Sequence, residues 1–201
     1  MRARTIPALL SLAALLAAGC AGGGALDVGY PEATANRALL ASVGSRRVEI
    51  RPVADRRMDT ARIAALPDRG NVVTSRPVAD IVRDALAVEI ARNGHELVTE
   101  RGEVVLAADV EEFWLDAVTG YATTQYVGRV VIALGVLDGR SGERLAARRY
   151  VGIRRRVVDK PGDDAAREVM DAALARAIHD LATDRALVAA FARVTAGAPP
   201  R

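Results

Sequence analysis

The chain has 201 residues, a formal charge of +3, 51% hydrophobic residues and a single cysteine. That length fits one domain, and the near-balanced charge excludes the concentrated basic footprint that nucleic acid requires. One cysteine excludes an internal disulfide, so the fold must rest on its apolar core.

The first segment, MRARTIPALLSLAALLAAGC, has the three parts of a secretory signal. Arg2 and Arg4 form a positive n-region, Ile6 to Ala18 an uncharged apolar stretch, and Ala17-Ala18-Gly19 a small-residue cleavage site. The apolar run is shorter than the ~20 residues a spanning helix needs. Leu16-Ala17-Ala18-Gly19-Cys20 resembles the bacterial lipobox. That resemblance implies cleavage between Gly19 and Cys20 and acylation of the Cys20 thiol. It departs from the usual pattern in carrying Ala17, not leucine, three positions before the cysteine. Several acyl chains, at ~0.8 kcal/mol per buried methylene, make a stable anchor. Ala21 after the cysteine implies the outer membrane, by likeness to the sorting rule of enteric bacteria. Loss of Arg2 and Arg4 lowers the formal charge from +3 to +1.

Residues 20–44 are rich in glycine and alanine and read as a flexible tether, of ~25–30 Å root-mean-square span, with Leu39-Leu40 as a docking point. From Arg46, Val48 and Ile50 alternate with Arg47, Glu49 and Arg51, which predicts a strand with one wet face. Pro52 places it at an edge or a strand end. Residues 54–71 are polar and turn-rich and read as the mobile loop of the domain, followed by a short strand at Val72-Val73-Thr74.

Ser75 offers a helix N-cap, with Pro77 in the first turn. Val78, Ile81, Val82, Ala85, Leu86 and Ile90 repeat at three and four, and Asn93-Gly94 supplies the stop. Three strands follow. Val104, Leu106, Ala108 and Val110 share one phase, which slips at Glu111-Glu112 to bring in Phe113 and Leu115; the slip predicts a bulge. A second strand runs from Tyr121 to Leu137 and a third carries Leu145, Ala147, Val151 and Ile153, joined by the turn Asp138-Gly-Arg-Ser-Gly142. Breaks are expected at Gly128 and Gly152. Asp163 or Asp164 caps a last helix with Met170, Ala173, Leu174, Ala177, Ile178 and Leu181 as its apolar stripe. Thr183-Asp184 ends it and restarts a short helix through Phe191.

The expected organisation is a signal peptide over 1–19, a lipidated tether over 20–44, one α+β domain over 45–195 and a disordered tail over 196–201. The expected fold is a two-layer sandwich: a mainly antiparallel sheet of about four strands in β-α-β-β-β-α order, with two helices on one face.

This order, with the segments RPVADIVRDALAVEIARNGHELV, VVLAADVEEFWLD, RVVIALGVLDGRSGERLAARRYVG and REVMDAALARAIHDLATDRALVAAFAR, resembles the YajG family of bacterial lipoproteins. The resemblance runs from about Val43 to Arg193. It implies a fold and a cell address, with no reaction, ligand or cofactor. A more distant likeness to the auxiliary lipoproteins of lipid-handling transport systems implies an alternative role as a transport accessory.

No catalytic constellation is found. His95 and His179 lie far apart, without the ligand spacing of a zinc site, and read as surface residues. Glu111 and Glu112, with Asp109 and Asp116, read as a solvated strand end, since neighbours on a strand face opposite ways. Phe113, Trp114, Tyr121 and Tyr126 concentrate the aromatics in one hairpin, and Arg154, Arg155 and Arg156 form the sharpest charge run. These seven are the candidate interaction surface, although core packing of Phe113 and a solvated arginine edge explain them as well. The expected partners are the membrane, through Cys20, and an envelope protein or transporter component. Neither an enzyme, a metal, a cofactor nor a nucleic acid is expected.

Overall fold

The computed structural model describes residues 24–66 and 69–194. The signal peptide, Gly19, Cys20 and the tail at 196–201 lie outside them. In chain order the strands and helices are β1 (Ala25–Leu26), β2 (Arg47–Ile50), β3 (Ala54–Asp55), β4 (Ala64–Leu66), β5 (Gly70–Thr74), α1 (Val78–Arg92), β6 (Glu96–Val98), β7 (Val104–Thr119), β8 (Thr124–Asp138), β9 (Arg144–Val158), α2 (Asp163–Ala182) and α3 (Arg185–Arg193).

The α+β class stands, but the sheet is mixed and larger than expected. Its order is β6-β2-β7-β8-β9, with β3 also on β7. The β7–β8–β9 meander is antiparallel, whereas β2 runs parallel to both β6 and β7. β3 continues β2 along β7 after the interruption at Pro52. The long connection through α1 lets β6 return parallel to β2. Residues 99–103 then cross β2 to reach β7, and Gly102 lies where a Cβ would stand 2.7 Å from the Glu49 nitrogen. A second, three-stranded sheet of order β1-β5-β4 completes the fold; its Ile63 carbonyl accepts from Leu115 N–H at 2.7 Å.

Alternation decides the packing. On β7 and β8, Val104, Leu106, Ala108, Val110, Val130, Ile132, Leu134 and Val136 are all buried on one face, under the helices. α1 contacts β2, β6 and β7, α2 lies on β8 and β9, and the two helices touch. The phase slip on β7 is the bulge between Val110 and Glu112. It turns Phe113 and Leu115 inward.

The strands do not break at the glycines. Gly128 and Gly152 sit within continuous β8 and β9, beneath α2. A Cβ on Gly128 would stand 3.0 Å from the Val169 carbonyl oxygen, and one on Gly152 would overlap the Ala173 carbonyl. Here glycine serves close approach of helix to sheet.

Two further expectations are corrected. From Gly24 on, the tether is part of the domain: Leu26, Val28, Ala35 and Leu40 are buried, the two leucines and the valine each worth roughly 1.5–3 kcal/mol. Residues 54–71 carry β3, β4 and the start of β5, with Ile63, Ala64 and Leu66 buried. Short apolar positions spaced between polar ones carry no period, so their burial was not visible in the pattern.

Helix termini differ in detail. Ser75 does not cap α1; its hydroxyl donates to Asp27 at 2.9 Å, and the helix begins after Pro77. Gly162, and neither aspartate, occupies the N-cap of α2, with Asp163 and Asp164 in its first turn. There their charge favours the positive end of the helix dipole. Asp184 does cap α3, accepting from Ala186 N–H at 2.8 Å.

Candidate functional site

The sequence pointed to one aromatic and arginine-rich hairpin. The structure divides it between two faces and a tip. Phe113 and Tyr126 are core residues at 1% exposure. Trp114 faces the opposite side of the sheet, donating to Asp116 at 2.8 Å beneath the Arg62 guanidinium, 6.0 Å from its ring centroid. Tyr121 projects freely from the turn between β7 and β8. The four rings are therefore not one patch, because adjacent strand residues point apart, and the bulge that turns Phe113 inward leaves Trp114 on the other face.

The arginine run is divided in the same way. Arg154 pairs in register with Gly128 and Arg156 with Tyr126, on the helix-bearing face, while Arg155 pairs with Val127 on the other. Arg156 forms an ion pair with Glu168 of α2. Arg154 and Arg155 stay exposed. The carboxylates behave as a solvated strand: Glu111 pairs with Arg149 and Glu112 with Arg129, at 2.9 Å for the latter. The Glu112 carboxylate raises the Arg129 pKa through their hydrogen bond.

Sequence reading missed the polar clamp that holds the N-terminal arm. Asn93, at the C-cap of α1, accepts from Ala38 N–H at 2.8 Å and donates to the Asn36 carbonyl and the Glu89 carboxylate. Buried Glu89 accepts from the Tyr30 hydroxyl at 2.7 Å. Burial, reinforced by that carboxylate, pushes the Tyr30 hydroxyl pKa far up. Asp171 of α2 accepts from Gly29 N–H at 3.0 Å, and its own burial raises its pKa. Asn93 was legible only as a helix stop; its partners on the arm, Ala38 and Asn36, lie 55 and 57 residues away.

His95 is not a surface residue. It is 5% exposed, with its ring 5.2 Å from that of Phe191. Among the described residues, neither ring nitrogen has a partner in full hydrogen-bond geometry. Desolvation lowers its pKa, against the opposing effect of the Leu40 backbone. His179 is exposed on α2, as expected.

Among the described residues, no group of three or more histidines, cysteines or carboxylates is placed to hold a metal ion. No described helix is long and apolar enough to cross a membrane. The described grooves are open to solvent; one of about 540 Å³ runs past Ile50, Val53 and Leu97, and one of about 360 Å³ past Met58, Phe113, Trp114 and Arg149. What remains distinctive is the end of the sheet where Gly24 enters the domain. Arg69 ties Asp163 beside Gly24 to the Tyr126 hydroxyl, and the β7–β8 tip with Val118 and Tyr121 projects beyond.

No protein-family model matches the chain, and no curated protein matches it. Solved structures do. A DUF330-family protein of Xanthomonas campestris is 14% identical over 83% of this chain and 95% of its own, with a TM-score of 0.55. The chain thus has the fold of that α+β protein. A Caulobacter crescentus CB15 protein assigned to the lipoproteins aligns over 81% of this chain and 99% of its own, at 16% identity and a TM-score of 0.46. The PelC dodecamer of Paraburkholderia phytofirmans aligns over 75% and 92%, at 15% identity and a TM-score of 0.40.

Proposed function

We propose that the protein is an envelope lipoprotein, anchored by acyl chains on Cys20 at the periplasmic face of the outer membrane, with a non-enzymatic interaction or structural role. The observation that carries this reading is the lipobox-like Leu16–Cys20 segment lying four residues before Gly24, where the packed domain begins. An acyl anchor at that position leaves the whole domain on one side of the bilayer. Likeness of sequence motifs to the YajG lipoproteins belongs to the same proposal. So does the transport-accessory alternative, in a restricted form. Direct contact of the α2 backbone with Gly152 leaves no space for a lipid guest between helix and sheet at that point.

Replacement of Cys20 by serine is the test. The wild-type protein should stay with membranes after carbonate washing and carry acyl mass on Cys20, and Cys20→Ser should be soluble and folded. A Cys20→Ser protein that stays in washed membranes would overturn the reading.

A further inference from the structure

β9 ends the large sheet, and only one of its edges is paired. The order β6-β2-β7-β8-β9 puts β8 on one side, and no described strand lies on the other. There, alternate residues turn N–H and C=O outward. Long exposed edges are usually shortened, bulged, broken by proline or charged. β9 runs for 15 residues without proline, with one register shift near its start. Only its charge guards it.

The edge also borders a groove. α2 lies over β9, with its Ala173 carbonyl above Gly152. A space of about 570 Å³ is lined by Val151, Ile153 and Arg154 of β9 and by Ala172, Ala175 and Arg176 of α2. On the open face of the sheet, Val151, Ile153 and Val157 are exposed beside the same edge. An added strand would meet small helix residues on one face and aliphatic neighbours on the other.

Charge decides what kind of strand fits. β9 carries six arginines and no acid. Arg148, Arg149 and Arg156 are held by Asp184, Glu111 and Glu168. Arg154 and Arg155 are exposed and form no ion pair among the described residues. The acids around them are already answered: Glu168 by Arg156, Asp180 by Arg176, and Asp116, two strands away through Val127, by Arg129. At the two ends of the strand, Glu143 adjoins Arg144, while Asp159 adjoins Lys160 and Asp164 pairs with Arg167. Arg154 and Arg155 are the surplus. As consecutive strand residues they face opposite sides, and so do consecutive residues of a neighbouring strand. Two adjacent carboxylates on an added strand therefore reach both.

A second copy of β9 does not suit this edge. Paired about Val151-Gly152, it would set Arg148 against Arg155 and Arg149 against Arg154, and like charges directly opposite destabilise. The chain's own last residues, Ala198-Pro199-Pro200-Arg201, lack two N–H groups and add a cation. We propose that an acidic, extended segment of a partner protein adds as a further strand along β9, with adjacent carboxylates on Arg154 and Arg155 and aliphatic residues beside Val151 and Ile153. Backbone hydrogen bonds supply affinity, and the arginines select the partner. The proposal gives a partner class to the interaction role and rests on that role, not on acylation of Cys20.

The probe is the peptide VTEEVTVT, which in antiparallel register places its glutamates opposite Arg155 and Arg154, added to the full chain in detergent micelles. Amide hydrogen exchange over residues 146–158 should slow at least threefold, with α1 and β7 unchanged. VTKKVTVT should give no protection. Arg154→Glu with Arg155→Glu should reverse the preference, which also shows that the variant is folded. Slowing with neither peptide, equal slowing with both, or binding of VTEEVTVT without slowing in β9 would overturn the proposal. Protection of β9 without peptide would overturn it too, if it grows with protein concentration or is lost on removal of residues 195–201. Those outcomes give the edge to a second copy or to the tail. All of them leave the anchor reading intact; that reading is overturned by Cys20→Ser staying in washed membranes.

Discussion

Gly152 of β9 lies directly beneath Ala173 of α2, so close that the helix carbonyl occupies the space a Cβ would need. An ordinary strand residue would hold the helix off by a side chain's height. Here the helix settles on the sheet, and Met170, Ala173, Leu174 and Ala177 reach zero or near-zero exposure.

Gly152→Ala should therefore destabilise, by about 3 kcal/mol or somewhat more, since overpacking against backbone has no soft neighbour to yield. Gly135→Ala is the matched control. Its Cβ would meet the Ala107 carbonyl at an ordinary 3.7 Å, and alanine in a strand costs less chain entropy than glycine. Chemical denaturation should give a lower midpoint for the first and an unchanged or higher one for the second.

Asn93 joins the N-terminal arm to α1. Asn93→Ala removes the acceptor for Ala38 N–H and a donor to Glu89. With buried polar groups left unpaired, the cost should be about 1–3 kcal/mol. The loss should be local: amide hydrogen exchange should speed up over residues 29–43 well before β7 or β8 respond. Uniform acceleration throughout the chain would show that the arm and sheet open together.

His95 should make stability depend on pH. Its folded-state pKa is lowered by desolvation, so the unfolded chain takes up the proton first, near pH ~6.5. Stability contributed by the neutral ring is fully present above that value. It falls as the pH drops toward the lowered folded pKa and then levels off. Thermal unfolding between pH 8 and 5 should show this decline, and His95→Phe should flatten it.

Asp184 serves two elements at once. It caps α3 and accepts from the Tyr150 hydroxyl of β9 at 2.9 Å. Asp184→Ala should cost about 1–2 kcal/mol for the cap, plus the orphaned Tyr150 hydroxyl. Ser75→Ala, by contrast, loses only an exposed bond to Asp27 and should shift the midpoint little. The same measurement separates a true cap from a residue type that merely suits one.

What the sequence determined by itself is the local part of the structure. The helix at 78–92, the restart at Asp184, the turn at 138–142 and the phase slip at Glu111-Glu112 follow from spacing within a few residues, which periodicity and turn chemistry encode directly. The Leu16–Cys20 segment is likewise a linear pattern. Tertiary structure decided the rest. The parallel seat of β2 between β6 and β7, and the docking of residues 24–43, depend on partners tens of residues away. So do the burial of His95 and the division of the aromatics and arginines between two faces. Gly152 shows the reason most plainly. Within its strand it signals a weak point, and only the arrival of α2, whose Ala173 lies far along the chain, turns the missing side chain into a contact.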